Sequence, residues 1–135
     1  MQNTKSLKHN LYLLAASVFF LSMLVFASFG ELERNLIWTF NDKILHFFAY
    51  FVLSALLFGG LAYHVFSRMI TTFFIASGLG AVDELLQFLV PTRDPSFDDW
   101  LVDCFGSMIA VVLLGILVGL FSKGIDESNL NSDDD

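Results

Sequence analysis

Cysteine, proline and charge are all scarce in this 135-residue chain. A single cysteine, Cys104, excludes an intrachain disulfide. In an apolar segment a lone thiol packs as a small hydrophobe. Only two prolines occur, Pro91 and Pro95, and both fall in one short connection, so no proline interrupts the long apolar segments. Charged residues are 16% of the chain, against about 25% in a soluble domain. Seven of them are Lys or Arg, and these form no basic patch, which argues against nucleic acid as a partner. Asp and Glu number fourteen, for a net charge of −7, and five of them (Asp126, Glu127, Asp133, Asp134 and Asp135) crowd the C-terminus. That stretch is polar and poor in apolar residues, so residues 122–135 read as an acidic, disordered tail.

What the chain has in place of charge is apolar bulk: 56% hydrophobic residues, sixteen phenylalanines and a mean hydropathy of +0.67. The bulk is concentrated in four runs, at about 11–29, 44–62, 69–90 and 101–121. A bilayer core of about 30 Å takes about 20 helical residues to cross, and each run is long enough. Backbone polar groups in lipid must be satisfied within the segment, so each run reads as a helix. The expected fold class is all-α: a small polytopic membrane protein with four transmembrane helices in one bundle. The first run is long for the apolar core of a signal peptide, and Ser28-Phe29-Gly30-Glu31 makes a poor cleavage site, so a retained helix is expected. Residues 1–10 form a short segment before the bundle, and 11–121 form the bundle itself.

Lys and Arg set the expected orientation. With the N-terminus cytoplasmic, Lys5, Lys8, Arg68 and Lys123 lie inside, and Arg34, Lys43 and Arg93 outside. Lys5 and Lys8 precede the first helix, which usually dominates, so both termini are expected to be cytoplasmic. The first and third connections then share the outer face, with Trp38, Tyr63 and Trp100 near span ends, where aromatic belts form.

Against this apolar background the polar residues inside the spans stand out. Asp83 and Glu84 are adjacent in the third run, and ionised groups there cost about 2.5–3.5 kcal/mol each. Glu84 lies roughly 9 Å below the end of the helix at Val90. Two neighbouring carboxylates do not both ionise cheaply in a low dielectric, so one is protonated or a cation neutralises the pair. Asp83 shares a helix face with Gln87 at i, i+4, while Glu84 points about 100° away and meets Gln87 at i, i+3. At the start of the second helix, Asp42, His46 and Tyr50 follow at i, i+4, i+8 on one face, with Lys43 one step aside. At the start of the fourth, Ser96 or Asp98 can cap the helix, and Asp99 favours its N-terminus. Capping does not account for Asp103, one turn deeper than Asp99 on the same face, which Gly106 and Ser107 continue. Gly80 would let another helix approach the third closely. The inner halves of the spans offer hydroxyls such as Ser54, Thr71 and Thr72 and no charged group, which argues against an ion pathway.

The order of these polar groups resembles the VanZ-like family. The motifs are Asp42-Lys43-x-x-His46-Phe47-x-x-Tyr50, then Asp83-Glu84-x-x-Gln87, then Pro91-x-Arg93-x-x-Ser96-x-x-Asp99, then Asp103-x-x-Gly106. They span from Asp42 to the end of the fourth helix. One departure is Asp103, where the family commonly has Asn; the extra carboxylate changes the charge of the cluster. The resemblance implies a multi-pass protein of the bacterial cytoplasmic membrane, part of the cell envelope. The family takes its name from a protein that lowers susceptibility to the glycopeptide teicoplanin.

Three functions are compatible with these residues. A pocket between helices two, three and four would bind a lipid headgroup or a lipid-linked envelope precursor, through Asp42, Lys43, His46, Tyr50, Asp83, Glu84, Gln87, Arg93, Ser96, Asp99 and Asp103. Lys43 and Arg93 would contact phosphate, and Asp83, Glu84 and Gln87 would hydrogen-bond sugar or amine groups. Alternatively, the protein is a membrane-embedded hydrolase or transferase acting on a lipid-linked or phosphorylated substrate. There His46 is the base or nucleophile, Glu84 the acid and Arg93 the oxyanion stabiliser. No cofactor is expected from the sequence; Asp83, Glu84, Asp99 and Asp103 could instead hold a divalent metal through oxygen ligands. In the third reading the polar residues only hold the helices together.

Overall fold

The computed structural model describes the backbone over 2–29, 36–89 and 96–132, and side chains over 4–25, 42–89 and 96–122. Among the described residues every regular element is a helix: α1 (Gln2–Phe29), α2 (Leu36–Gly60), α3 (Val65–Gln87) and α4 (Phe97–Ser132). All four contain a segment long and apolar enough to cross a membrane, at Thr4–Val25, Asp42–Gly60, Val65–Gln87 and Phe97–Ser122.

Each helix starts before the apolar stretch that announces it, whereas α2 and α3 end at Gly60 and Gln87, short of the ends expected at 62 and 90. α2 begins at Leu36, eight residues before the apolar run expected from Ile44, so Asp42 and Lys43 stand inside the helix and not in the connection before it. α3 begins at Val65, so Arg68, expected in the hairpin, stands in its first turn, with its guanidinium 3.9 Å from the centre of the Phe58 ring. The hairpin shrinks to residues 61–64. α4 continues to Ser132, through residues expected to be disordered. No proline follows Phe97, so nothing in the backbone chemistry obliges the helix to stop at the end of the apolar run.

The chain runs up and down. Gly59 and Gly60 at the end of α2 pack on Tyr12 and Leu13 near the start of α1, so these two helices are antiparallel. α3 and α4 are antiparallel as well: Gly80 meets Trp100 and Asp103, while Gly115 meets Met69. α2 and α4 therefore run in the same direction, and their backbones come closest where Gly106 lies on the carbonyl of Phe47. α2, α3 and α4 pack against one another, and α1 lies outside them, mainly against α2. The apolar core joins Ala16, Tyr50, Leu53, Leu57 and Ala76.

The distribution of polarity is inverted relative to a soluble domain. Leu21, Phe74, Leu85, Phe105 and Leu120 are each more than half exposed, while Ser54, Thr72, Asp83, Glu84, Gln87, Asp103 and Ser107 are buried. Such an apolar surface would aggregate in water. In lipid it is the solvated surface, and polar groups turn inward because the tails offer them no partner. The molecule is a multi-pass membrane protein.

One contact ties α4 to α3 just below the polar end. The Trp100 indole Nε1–H donates to the Ser77 carbonyl oxygen at 3.0 Å. Its ring also lies beside Phe97, with centroids 5.3 Å apart. Trp100→Phe keeps an aromatic ring there and removes only the donor. It is expected to cost about 1 kcal/mol, read as an earlier midpoint in an SDS unfolding titration.

Candidate polar site at one end of the bundle

Because α2 and α4 run in parallel, residues one turn apart on one helix face residues one turn apart on the other. Lys43 Nζ lies 2.6 Å from Asp99 Oδ1, and one turn deeper His46 Nδ1 lies 2.9 Å from Asp103 Oδ1. The two pairs differ in their surroundings. The Lys43 side chain is 38% exposed, so its ion pair is the screened, weak kind. Asp103 is fully buried, at 0% exposure, where a carboxylate is tolerated only with partners.

α3 brings its two acids into this end of the bundle by different routes. Glu84 Oε2 accepts a 2.8 Å hydrogen bond from the backbone N–H of Ser96, the residue before α4. Gln87 Nε2 donates to Asp83 Oδ2 at 3.4 Å along the same face of α3. The adjacent carboxylates are thus held apart by their 100° offset and by separate donors. Gly80, one turn back, clears the space: a Cβ there would lie 3.2 Å from Asp103 Oδ2 and 3.3 Å from Trp100 Cδ1.

Several buried polar atoms at and below this cluster have no hydrogen-bond partner among the described residues. They include Glu84 Oε1, Asp103 Oδ2 and the Tyr50 hydroxyl. Tyr50 is fully buried. Ser54, Thr72 and Ser107 are likewise buried with unsatisfied hydroxyls. Ser54 and Ser107 stand one turn beyond Tyr50 and Asp103 on the same faces and extend the two polar stripes inward.

Of the residues singled out from the sequence, Lys43, His46, Asp83, Glu84, Gln87, Ser96, Asp99 and Asp103 engage one another as described. Asp42 is half-buried beside them. Arg93, the remaining candidate, lies outside the described residues, as does the side chain of Trp38. Ser96 contributes its backbone: its N–H reaches Glu84, and its carbonyl accepts the N–H groups of Asp99 and Trp100. Lys43, expected to reach a phosphate, is committed to Asp99. For metal ligation the geometry assembles a different set from Asp83, Glu84, Asp99 and Asp103. One ligand atom from each of His46, Glu84 and Asp103 comes within 4.8 Å of the others, as do those of Asp42, His46 and Asp99. Among the described residues Asp83 joins neither group.

The model of the family described as VanZ/LLP1 matches residues 2–118. The chain belongs to the VanZ/LLP1 family. The match takes in α1, which the sequence motifs from Asp42 onward left out, and the whole polar cluster. No curated protein and no solved structure matches the chain. In this VanZ/LLP1 member all the paired acids, His46 and Lys43 therefore belong to the shared domain, while the acidic C-terminal residues from 119 onward fall outside it.

Proposed function

We propose that this VanZ-like protein resides in the bacterial cytoplasmic membrane with both termini inside, and that its cluster binds a lipid headgroup or lipid-linked envelope precursor. One observation carries the reading: Glu84 Oε1 and Asp103 Oδ2 are buried carboxylate oxygens with no partner among the described residues. Such oxygens are costly unless a donor reaches them. The ammonium or sugar hydroxyls of a headgroup supply donors at this depth, and Arg93 from the neighbouring connection would face its phosphate, with the ammonium hydrogens that Lys43 does not give to Asp99. An effect on teicoplanin susceptibility would follow if the ligand is an envelope precursor.

A second reading rests on the His46–Asp103 hydrogen bond. A carboxylate that fixes one nitrogen of an imidazole orients the ring as a general base. His46 would then be the base, Glu84 the acid and Arg93 the oxyanion stabiliser of a hydrolase or transferase.

The test is to purify wild type, Glu84→Gln, His46→Ala and Arg93→Lys in detergent. Folded yield, co-purifying lipid by native mass spectrometry, and teicoplanin susceptibility of the expressing strain are then compared. Headgroup binding predicts normal yields for Glu84→Gln and Arg93→Lys, a lipid on the wild type, and at least a tenfold loss of that lipid in Glu84→Gln. Wild type without any bound lipid overturns it. Loss of folded yield in all three variants assigns the cluster a role in helix packing alone.

A further inference from the structure

Glu84 and Asp103 are 9% and 0% exposed, and among the described residues the one imidazole of His46 faces both. Lys43, the nearest described cation, is spent on Asp99. Two buried carboxyl groups facing one imidazole hold a proton or take a cation, and the donor atoms are arranged to take a cation. His46 Nδ1 and Asp103 Oδ1 are 2.9 Å apart. Two ligands on one tetrahedral ion with bonds of about 2.0–2.1 Å stand about 3.3–3.4 Å apart, so this hydrogen-bonded pair need open by only a few tenths of an ångström to take one. Glu84 brings a third ligand atom within 4.8 Å of both. Its Oε2 is held by Ser96 N–H, so Oε1, buried and without a partner, is the oxygen left to coordinate.

An independent group points to the same place. The Tyr50 hydroxyl comes from the next turn of α2 on the same face as His46, is fully buried, and has no hydrogen-bond partner among the described residues. A phenol in that position would donate to, or accept from, a water completing the coordination of an ion.

We propose that His46, Glu84 and Asp103 form a site for one divalent transition-metal ion. One imidazole nitrogen with two carboxylates suits Zn²⁺ or Mn²⁺ better than the all-oxygen preference of Ca²⁺ or Mg²⁺. The ion neutralises the buried acids. It also deepens the headgroup reading and rests on it in one respect: a bound cation converts an acid-rich pocket into one that accepts a phosphate.

The experiment uses the full chain in detergent, stripped with EDTA, dialysed and titrated separately with Zn²⁺ and Mn²⁺. Bound metal is read by mass spectrometry and affinity by calorimetry. The expected result is one equivalent of one of these ions per chain. Asp103→Asn, nearly the same shape, and His46→Ala should each bind at least tenfold more weakly, while His9→Ala, a histidine of α1 outside the cluster, binds as wild type does. Wild type that takes up neither ion overturns the proposal, as do Asp103→Asn and His46→Ala proteins that bind like wild type. Lipid retained by the metal-stripped protein in the same spectra separates the two ideas. Lipid without metal uptake sinks the metal site alone, and metal uptake without lipid sinks the headgroup reading alone.

Discussion

The His46→Ala variant is expected to lose about 3–5 kcal/mol of stability, the range for breaking a buried ion pair by deleting one partner. The imidazole is the described group that hydrogen-bonds Asp103 Oδ1, and Asp103 Oδ2 already has no partner. Without His46 both oxygens of a fully buried carboxylate are stranded between α2, α3 and α4. Truncation to alanine also opens a cavity, so the single variant does not by itself identify the cause. The double variant His46→Ala/Asp103→Asn does. It keeps the cavity and removes the charge, and it is expected to recover roughly half of the loss or more, a coupling of the size seen for residues in direct contact. SDS unfolding titrations of wild type, the single and the double variant, all in EDTA so that no ion contributes, measure the difference. A double variant as unstable as the single one would show that the stranded charge is not what His46 compensates.

The same pair shows where sequence reasoning reached and where it stopped. Four helices were legible because apolar length fixes a spanning segment with no knowledge of its neighbours. Their ends were not legible, since hydropathy registers the hydrocarbon and a helix does not stop at its boundary: α2 starts at Leu36 and α4 runs on to Ser132. Faces were legible. The i, i+4 spacings that put Asp42, His46 and Tyr50 on one stripe of α2, and Asp99 and Asp103 on one stripe of α4, are local and depend only on the helical period. Register between helices was beyond reach. That Lys43 meets Asp99 and His46 meets Asp103 depends on how far α4 slides along α2. This is set by the Phe47–Gly106 approach, a contact between residues of ordinary type. The partition of Asp83 and Glu84 was half visible: their offset is local, but the backbone of Ser96 as the partner of Glu84 could not be inferred from side-chain chemistry. Trp100 was read as an interfacial anchor on composition, whereas its indole reaches across to α3.

That register makes Gly106 the position where the smallest change should have the widest consequence. A Cβ added at Gly106 would overlap the backbone carbonyl oxygen of Phe47 and lie 3.2 Å from its carbonyl carbon and 3.3 Å from its Cα. Those atoms belong to the α2 backbone and cannot rotate away as a side chain would, so one helix must move. Gly106→Ala is therefore expected to cost about 1–3 kcal/mol, the usual cost of overpacking. The displacement falls next to the cluster, since His46 adjoins Phe47 and Asp103 stands one turn before Gly106 on α4. The variant should also weaken whatever the cluster binds. Gly78→Ala is the matched control: it lies in the interior of α3, and a Cβ there meets nothing within 4 Å. It is expected to be neutral, or to gain up to about 1 kcal/mol from replacing glycine in a helix. Parallel SDS titrations should separate the two variants clearly. Equal midpoints for the two would mean that α2 and α4 do not approach at Gly106 closely enough to set the register on which the His46–Asp103 and Lys43–Asp99 pairs depend.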